Sequence, residues 1–311
     1  PFDLSAQKPV ETIFSGPAAS TLGGLALTPR GETSVVVDIG GTTTDLALIL
    51  SGEPLLASRG ARIDDKLTHV RAFATSSAAV GGDSCLQVQD GVLQIMPYRE
   101  GAAYCLGGAR PTPTDAMRVT GLTEIGDQKQ ANKAMEILGK ELGVDSKLAA
   151  ELVLKKTVER IAGEIESMFT DWEQEPAYRI WELQQRKKIR PQNLVGIGAA
   201  SPALLPLLGK EMGCSALTPP DADVANAIGA ALAKTNLRLT FHFDTERKFY
   251  FIEENGVQEK LKKIDSLAGA ESFAMDRLKE EGEKIGIPAK EEPELVYSEL
   301  FNMVRGWRTG G

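Results

Sequence analysis

Histidine, cysteine, long apolar runs and an excess of basic charge are what this chain has little of. Its 2 histidines, His69 and His242, lie far apart in sequence. A His-rich zinc site needs several convergent nitrogen or sulfur ligands, so that class is disfavoured. The 3 cysteines, Cys85, Cys105 and Cys214, are odd in number and show no C-x-x-C spacing. They read as reduced intracellular thiols rather than a disulfide framework. No apolar run approaches the roughly 18 residues of a membrane span. No signal-like segment opens the chain, and a cytoplasmic protein is expected. Lys and Arg number 35 against 43 Asp and Glu, a formal charge of −8. That balance argues against broad binding to nucleic acid or anionic membranes. A methionine start is also missing. The chain begins at Pro1 and ends in RGWRTGG, which reads as a segment of a longer polypeptide.

What is present is ordinary globular material, 42% hydrophobic and 25% charged over 311 residues, enough for a real core and about two domains. ETIFSGPAASTLGGLALT, residues 11–28, predicts a small-residue helix opened by Ser15 and Pro17. Residues 34–38 and 45–50 predict strands. EPLLASRGARID suggests a third strand, and AFATSSAAVGGDS a loop or helix start. LQVQDGVLQIMP alternates around Asp90-Gly91 and predicts a hairpin. TPTDAMRVTGL predicts a short helix capped by Thr114 or Asp115. Helical spacing runs from Asp127 to about Glu173 and again over 177–188. NLVGIGAASPALLPLLGKEMG reads strand, glycine turn, helix, with Ser201 as the cap, and DADVANAIGAALA reads as another small-residue helix. After about residue 236 the pattern changes to a hairpin, a charged helix over 258–284 and a last strand in EPELVYSELFNMVRGW. This tail is expected to be a separate small α+β unit.

SVVVDIGGTTTDLALIL, residues 34–50, carries the chemistry. Gly40 and Gly41 permit backbone angles that aim successive amides into one concavity, a nest for phosphate oxygens. Thr42, Thr43 and Thr44 add hydroxyls. Asp38 closes a strand, where a carboxylate can hold Mg²⁺ through its waters or orient a nucleophile. A Walker loop is excluded, since strands flank the bend on both sides and no lysine follows. The competing reading is a glycine-rich hairpin turn with no ligand. VGIGAAS, residues 195–201, offers a partial dinucleotide fingerprint, with Asp221 or Asp223 downstream. Its third glycine is replaced by Ser201, and TPP poorly ends a central parallel strand. The alternative there is a close strand-to-helix packing turn.

The order of these pieces resembles the second half of the actin-like ATPase superfamily. SGPAAS, DIGGTTTD, GIGAAS and DADVANAIGAAL follow one another as a first connecting helix, phosphate hairpin, adenosine loop and second connecting helix. ETIFSGPAAS, DIGGTTTD, GGDS, GGARPTPTDA and ELFNMVRGWRTGG together are similar to the hydantoinase/5-oxoprolinase A family, over nearly the whole chain. The resemblance implies an α/β fold. Residues 1–235 would form a ribonuclease-H-like domain with mixed sheet, flanking helices and a helical insertion near 125–190. Residues 236–311 would form the small α+β unit. It implies a missing upstream domain of the same type, a B-type subunit as partner and a small cyclic-amide substrate; a homo-oligomer is left open. It implies ATP and Mg²⁺ as cofactors and an ATP-dependent hydrolase opening a hydantoin or 5-oxoproline ring, the fragment alone being inactive. An activator of a partner protein, or a carboxylase subunit, is the alternative.

Residue by residue, the resemblance assigns the turn from Gly40 to Thr44 to the β- and γ-phosphates and Asp38 to metal or water. Gly196, Gly198 and Ala199 would approach adenine or ribose. Asp83 and Ser84 are candidates for catalysis at the substrate, with a capped turn as the alternative. The family often has GGGS where this chain has Gly81, Gly82, Asp83 and Ser84. Asp115 reads as a helix cap, and Cys85 and Cys105, with no histidine near in sequence, as spectator thiols.

Overall fold

The structure, a computed structural model, describes the chain apart from residues 1–4, 7–8, 29–30, 58–59, 64–65, 69, 71, 175–188, 262–263, 265, 289, 301–302, 306–307 and 311. It divides into two compact units, one of residues 10–233 and one of residues 234–311 with 1–9.

In the larger unit, helix α1 (Ser15–Leu27) precedes an antiparallel hairpin of β1 (Ser34–Ile39) and β2 (Thr44–Leu50). Ser34 faces Ile49 and Ile39 faces Thr44 across that hairpin. Strands β3 (Glu53–Pro54) and β6 (Thr75–Ala78) share the other edge of β2, pairing with its two ends. A minor hairpin of β4 (Arg62–Ile63) and β5 (Lys66–Leu67) lies between them in sequence. A second hairpin, β7 (Leu86–Gln89) and β8 (Val92–Ile95), turns at Asp90 and Gly91, both with positive φ of 52° and 73°. That is the left-handed pair the Asp-Gly sequence favours. Helices α2 (Pro113–Val119), α3 (Gln128–Leu142) and α4 (Ser146–Gln174) follow. Strand β9 (Asn193–Ile197) then runs parallel to β1, helix α5 (Ser201–Met212) returns, β10 (Ser215–Leu217) adds a parallel edge, and helix α6 (Ala225–Leu232) ends the unit. The main sheet is mixed, in the order β10-β9-β1-β2 with β3 and β6 outside.

The alternation of β1 and β2 decides which face goes where. Val35, Val37, Ile39, Leu46 and Leu48 join Met117, Ile161 and Leu204 in one buried cluster, the side covered by α2, α4 and α5. Val36, Ala47, Ile49 and Ile197 join Ala222 and Ala225, with Leu25 and Leu27 of α1, in a second cluster on the opposite face. The result is an α/β architecture with helices on both faces of a mixed sheet.

Several local expectations change. Residues 75–78 form a strand, not a loop or helix start; Ser76 and Ser77 lack apolar alternation, and the register on β2 imposes the pairing. The helix of 113–119 is capped by Thr112, whose N–H and hydroxyl donate to Asp115 Oδ2 at 2.8 and 2.9 Å. Asp115 therefore sits at the third helical position of a capping box. The single helical stretch expected from Asp127 is two helices, parted at Gly143, a left-handed cap with φ 72°. Ser201 does not cap α5; Ala200 holds that position, and the Ser201 hydroxyl is buried with no protein partner among the described residues. The expected helix over 177–188 lies outside the described residues, as does His69.

In the smaller unit, β11 (Phe241–Asp244), β12 (Phe249–Ile252) and β13 (Gln258–Lys260) form an antiparallel sheet, with helix α7 (Leu267–Lys284) after it. Tyr250 and Phe273 meet edge to face at 5.0 Å, with Phe243 against both rings. The charged helix thus starts later than expected, capped by Ser266 accepting from Gly269 N–H at 3.2 Å. Residues 292–300 are not strand; β14 (Met303–Arg305) pairs with β15 (Arg308–Gly310) instead.

Candidate functional site

The hairpin bend at residues 40–43 is the starting point. It is closed by Gly40 N–H donating to Thr43 O at 3.0 Å. Its carbonyls turn to one side, where a second glycine turn meets them. Gly82 N–H donates to Gly40 O at 2.9 Å and Asp83 N–H to Gly41 O at 2.6 Å. The Ser84 hydroxyl donates to Thr42 O at 3.4 Å and accepts from Gly81 N–H at 2.9 Å. Gly81 has no room for a side chain, since its Cβ would lie 2.6 Å from Gly40 O. With the carbonyls so committed, the amides of Gly41, Thr42 and Thr43 donate to no protein acceptor among the described residues. Successive backbone amides without protein acceptors are the donors from which anion nests are built. Thr44 is different: it is buried and its hydroxyl donates to Val80 O at 2.7 Å, so it anchors the bend.

The turn after β9 reaches the same end of the sheet. Asp38 faces Ile197 in the parallel pairing, and Ala200 N–H donates to Ile39 O at 3.3 Å. Gly198, at φ 85°, presses so close that its Cβ would stand 2.6 Å from Asp38 Oδ1 and 2.7 Å from Ile39 O. Ala199 is exposed beside it. Gly196 sits elsewhere than expected. It is buried within β9 on the α5 side, where its Cβ would meet Ser201 Oγ at 2.1 Å and Leu205 at 2.7 Å. Its lack of a side chain serves strand-to-helix packing, not approach to a ligand.

Asp38 projects from the opposite face, toward α1 and α6. Ser20 Oγ donates to its Oδ2 at 2.9 Å, and Asn226 Nδ2 lies 3.5 Å from the same oxygen. Those two helices can close on each other because Gly23 and Gly229 stand at their crossing; each Cβ would fall 2.0 Å from a carbonyl oxygen of the partner helix. Asp45 sits opposite Asp38 in the hairpin register. Among the described residues no group of three His, Cys, Asp or Glu converges as a protein-only metal cage.

The expected catalytic pair at 83–84 divides. Ser84 is fully buried with its hydroxyl tied between the two turns, so it positions the bend. Asp83 is partly exposed. Its Oδ1 lies 3.2 Å from Thr114 Oγ1, whose hydroxyl donates to Gly82 O at 2.8 Å, and its Oδ2 lies 3.6 Å from Arg99 Nη1. Asp115 is wholly buried and accepts from the amides of Tyr104, Cys105 and Thr112. Burial, then hydrogen bonding and charge from Asp115, push the Cys105 thiol up to about 12, and burial raises Cys85 and Cys214 as well. A raised pKa keeps a thiol protonated and so weakly nucleophilic. His242 pairs with Glu253 at 3.2 Å on the exposed sheet of the smaller unit.

Sequence reasoning had not singled out Ser20, Asn226, Thr114 and Arg99. Ser20 and Asn226 lie within or next to the two connecting-helix motifs, so the signal was there. Arg99 has no motif at all; only the fold brings it to the bend.

A family model for hydantoinase/oxoprolinase matches residues 1–238. Over 173 residues, 50% of this chain, the sequence is 31% identical to the acetophenone carboxylase gamma subunit of Aromatoleum aromaticum, covering 24% of that protein. The nucleotide-free structure of an acetone carboxylase superimposes with a TM-score of 0.58, at 17% identity, over 91% of this chain and 48% of that one. The ATP-dependent caprolactamase of Pseudomonas jessenii superimposes with a TM-score of 0.57, at 22% identity, over 86% of this chain and 38% of that one. The two structures share the fold. The chain spans about a quarter of the carboxylase subunit and less than half of either structure. The match of the family model over most of the sequence carries the assignment: this chain belongs to the hydantoinase/oxoprolinase family.

Proposed function

We propose that Asp38, the 40–44 bend and the 198–200 turn form one wall of an ATP site, and that the whole protein uses ATP to open a cyclic amide of the hydantoin or 5-oxoproline type. The observation that carries this is the meeting of the two glycine turns, with Gly198 against Asp38 and three bend amides left without protein acceptors. The facing wall comes from a segment beyond this chain, a second domain or a B-type subunit.

An amide carbonyl is a poor electrophile; ATP supplies the phosphoryl group that turns its oxygen into a leaving group. Phosphoryl transfer asks a protein mainly for positioning and charge stabilisation. The amides of Gly41, Thr42 and Thr43 bind phosphate oxygens, and the Thr42 and Thr43 hydroxyls add donors. Asp38, held by Ser20 and Asn226, orients water at the phosphate. A lone carboxylate suits Mg²⁺, which keeps several waters and takes its other ligands from phosphate rather than from a protein cage. Ala199 and Gly198 line the approach of the nucleoside. Ser84 and Gly81 hold the bend in shape, and Asp83 faces the substrate side. A second reading, a subunit of an ATP-dependent carboxylase, is favoured by the 31% identity to the acetophenone carboxylase gamma subunit.

The test is ATP turnover by the full-length protein, alone, with hydantoin, with 5-oxoproline, and with a ketone and bicarbonate. Ring-stimulated turnover supports the hydrolase, and ketone-stimulated turnover the carboxylase. Asp38→Ala is expected to lower turnover by about 100-fold or more, the scale of losing one well-placed transition-state contact. Unchanged nucleotide affinity and turnover in that variant would rule out both readings.

A further inference from the structure

Arg99 is not part of any motif, yet it lies against the bend. Its loop follows β8 and is fixed at both ends of a short span. Met96 N–H donates to Cys85 O at 2.9 Å, and Cys85 N–H donates to Tyr98 O at 2.9 Å. Cys85 directly follows the Gly81–Gly82–Asp83–Ser84 turn, so the same backbone ladder sets Arg99 beside Asp83. The guanidinium stays half-exposed, with Nη1 3.6 Å from Asp83 Oδ2. Both groups crowd one glycine of the bend. A Cβ on Gly41 would lie 2.9 Å from Asp83 Oδ2 and 3.3 Å from Arg99 Nη1.

That placement has an electrostatic consequence. Asp38 and Asp45 face each other across the hairpin, and Asp83 adds a third carboxylate at Gly41. A polyphosphate entering the Gly41–Thr43 nest meets the Asp83 carboxylate at close range, where like charges repel in a partly desolvated site. Asp83 is the one in contact with the nest; Thr114 Oγ1 stands 3.2 Å from its Oδ1, its single proton having the nearer acceptor Gly82 O at 2.8 Å. A guanidinium offers five donors in a fixed fork and stays charged, so it can bond carboxylate and phosphate together.

We propose that Arg99 is a phosphate-binding and charge-screening residue: it neutralises Asp83 beside the bend and swings its free donors onto the terminal phosphates of a bound nucleoside triphosphate. This rests on the nucleotide reading above and assigns to that site the cation it otherwise lacks in its motifs. The ion pair as it stands is too long and exposed to matter for folding, since surface pairs of this kind contribute little. Its use is in the liganded state.

The experiment measures ATP affinity by calorimetry and the melting temperature without nucleotide, on the full-length protein and its Arg99→Ala, Arg99→Lys, Asp83→Asn and Arg99→Ala/Asp83→Asn variants. Arg99→Ala is expected to weaken ATP binding about 10- to 100-fold, in line with exposing an uncompensated like charge to the ligand. Its nucleotide-free melting temperature should stay within a degree of the wild type. Arg99→Lys should fall between. The double variant should bind ATP more tightly than Arg99→Ala, because the repelling carboxylate is gone. Unchanged ATP affinity in Arg99→Ala, or a double variant no tighter than that single one, overturns the proposal. A wild-type protein that binds no ATP removes the nucleotide reading itself, and the role of Arg99 with it.

Discussion

Single glycines decide the site at the smallest scale. Gly198 combines a φ of 85° with a Cβ position 2.6 Å from Asp38 Oδ1. Alanine there takes on both the left-handed penalty of about 1–2 kcal/mol and a contact that must push the carboxylate aside. Gly198→Ala is therefore expected to lower the urea midpoint and to reduce ATP turnover more than its stability loss explains; wild-type turnover would mean Asp38 is free to move. The thiols give a second expectation. Cys105 holds its proton up to about 12 in the folded chain, against an ordinary value of 9.0. The folded state binds the proton where the unfolded chain releases it, so stability is intact below pH 9 and falls as pH rises from 9 to 12. Urea titrations across that window should show a shallower fall in Cys105→Ser than in the wild type. Where glycines clustered, as in DIGGTTTD and GGDS, the sequence marked two turns that the structure bonds together. It misled at Gly196, because a glycine admitting a ligand and one admitting Ser201 and Leu205 look identical in sequence. Arg99 was illegible, since its position depends on the β7–β8 hairpin reaching the bend.

Elements transmit these constraints. Helices α1 and α6 cross at Gly23 and Gly229, where each Cβ would meet a backbone oxygen at 2.0 Å. Gly229→Ala must part the helices and carry Ser20 and Asn226 away from Asp38. A stability loss of about 1–3 kcal/mol is expected, as for an overpacked core position, read as a drop in melting temperature together with weaker ATP binding. A variant with both quantities unchanged would show that the crossing does not fix Asp38. Helices were the legible elements, through their three-four spacing, although the caps of α2 and α5 fall at Thr112 and Ala200, ahead of the residues expected. Strands β1 and β2 were legible through their valine- and leucine-rich alternation. Strands β6 and β13 were not. The first reads TSSA, and the second, QEK, is exposed throughout. Both lack an apolar alternation for a periodicity reading to find; the charge of β13 is of the kind edge strands carry to discourage further pairing.

For the whole molecule, the two units meet in sequence at residues 233–234, and residues 233–240 form neither helix nor strand. Lys234 and Arg238 are exposed or half-exposed there. Brief trypsin digestion of the full-length protein is expected to cut at these positions before Lys155, Lys156 or Arg160 within α4, because exposed irregular backbone is cleaved first; first cuts inside that helix would contradict the packing described. The meeting of the 40–43 and 198–200 turns follows from β1 and β9 lying side by side, which no local pattern reveals. The most direct measurement is amide hydrogen exchange of the full-length protein with and without ATP. Cradling of phosphate predicts new protection at Gly41, Thr42 and Thr43, with a smaller effect at 198–200 and none over 241–252. Unchanged exchange at Gly41–Thr43 under saturating ATP would contradict it.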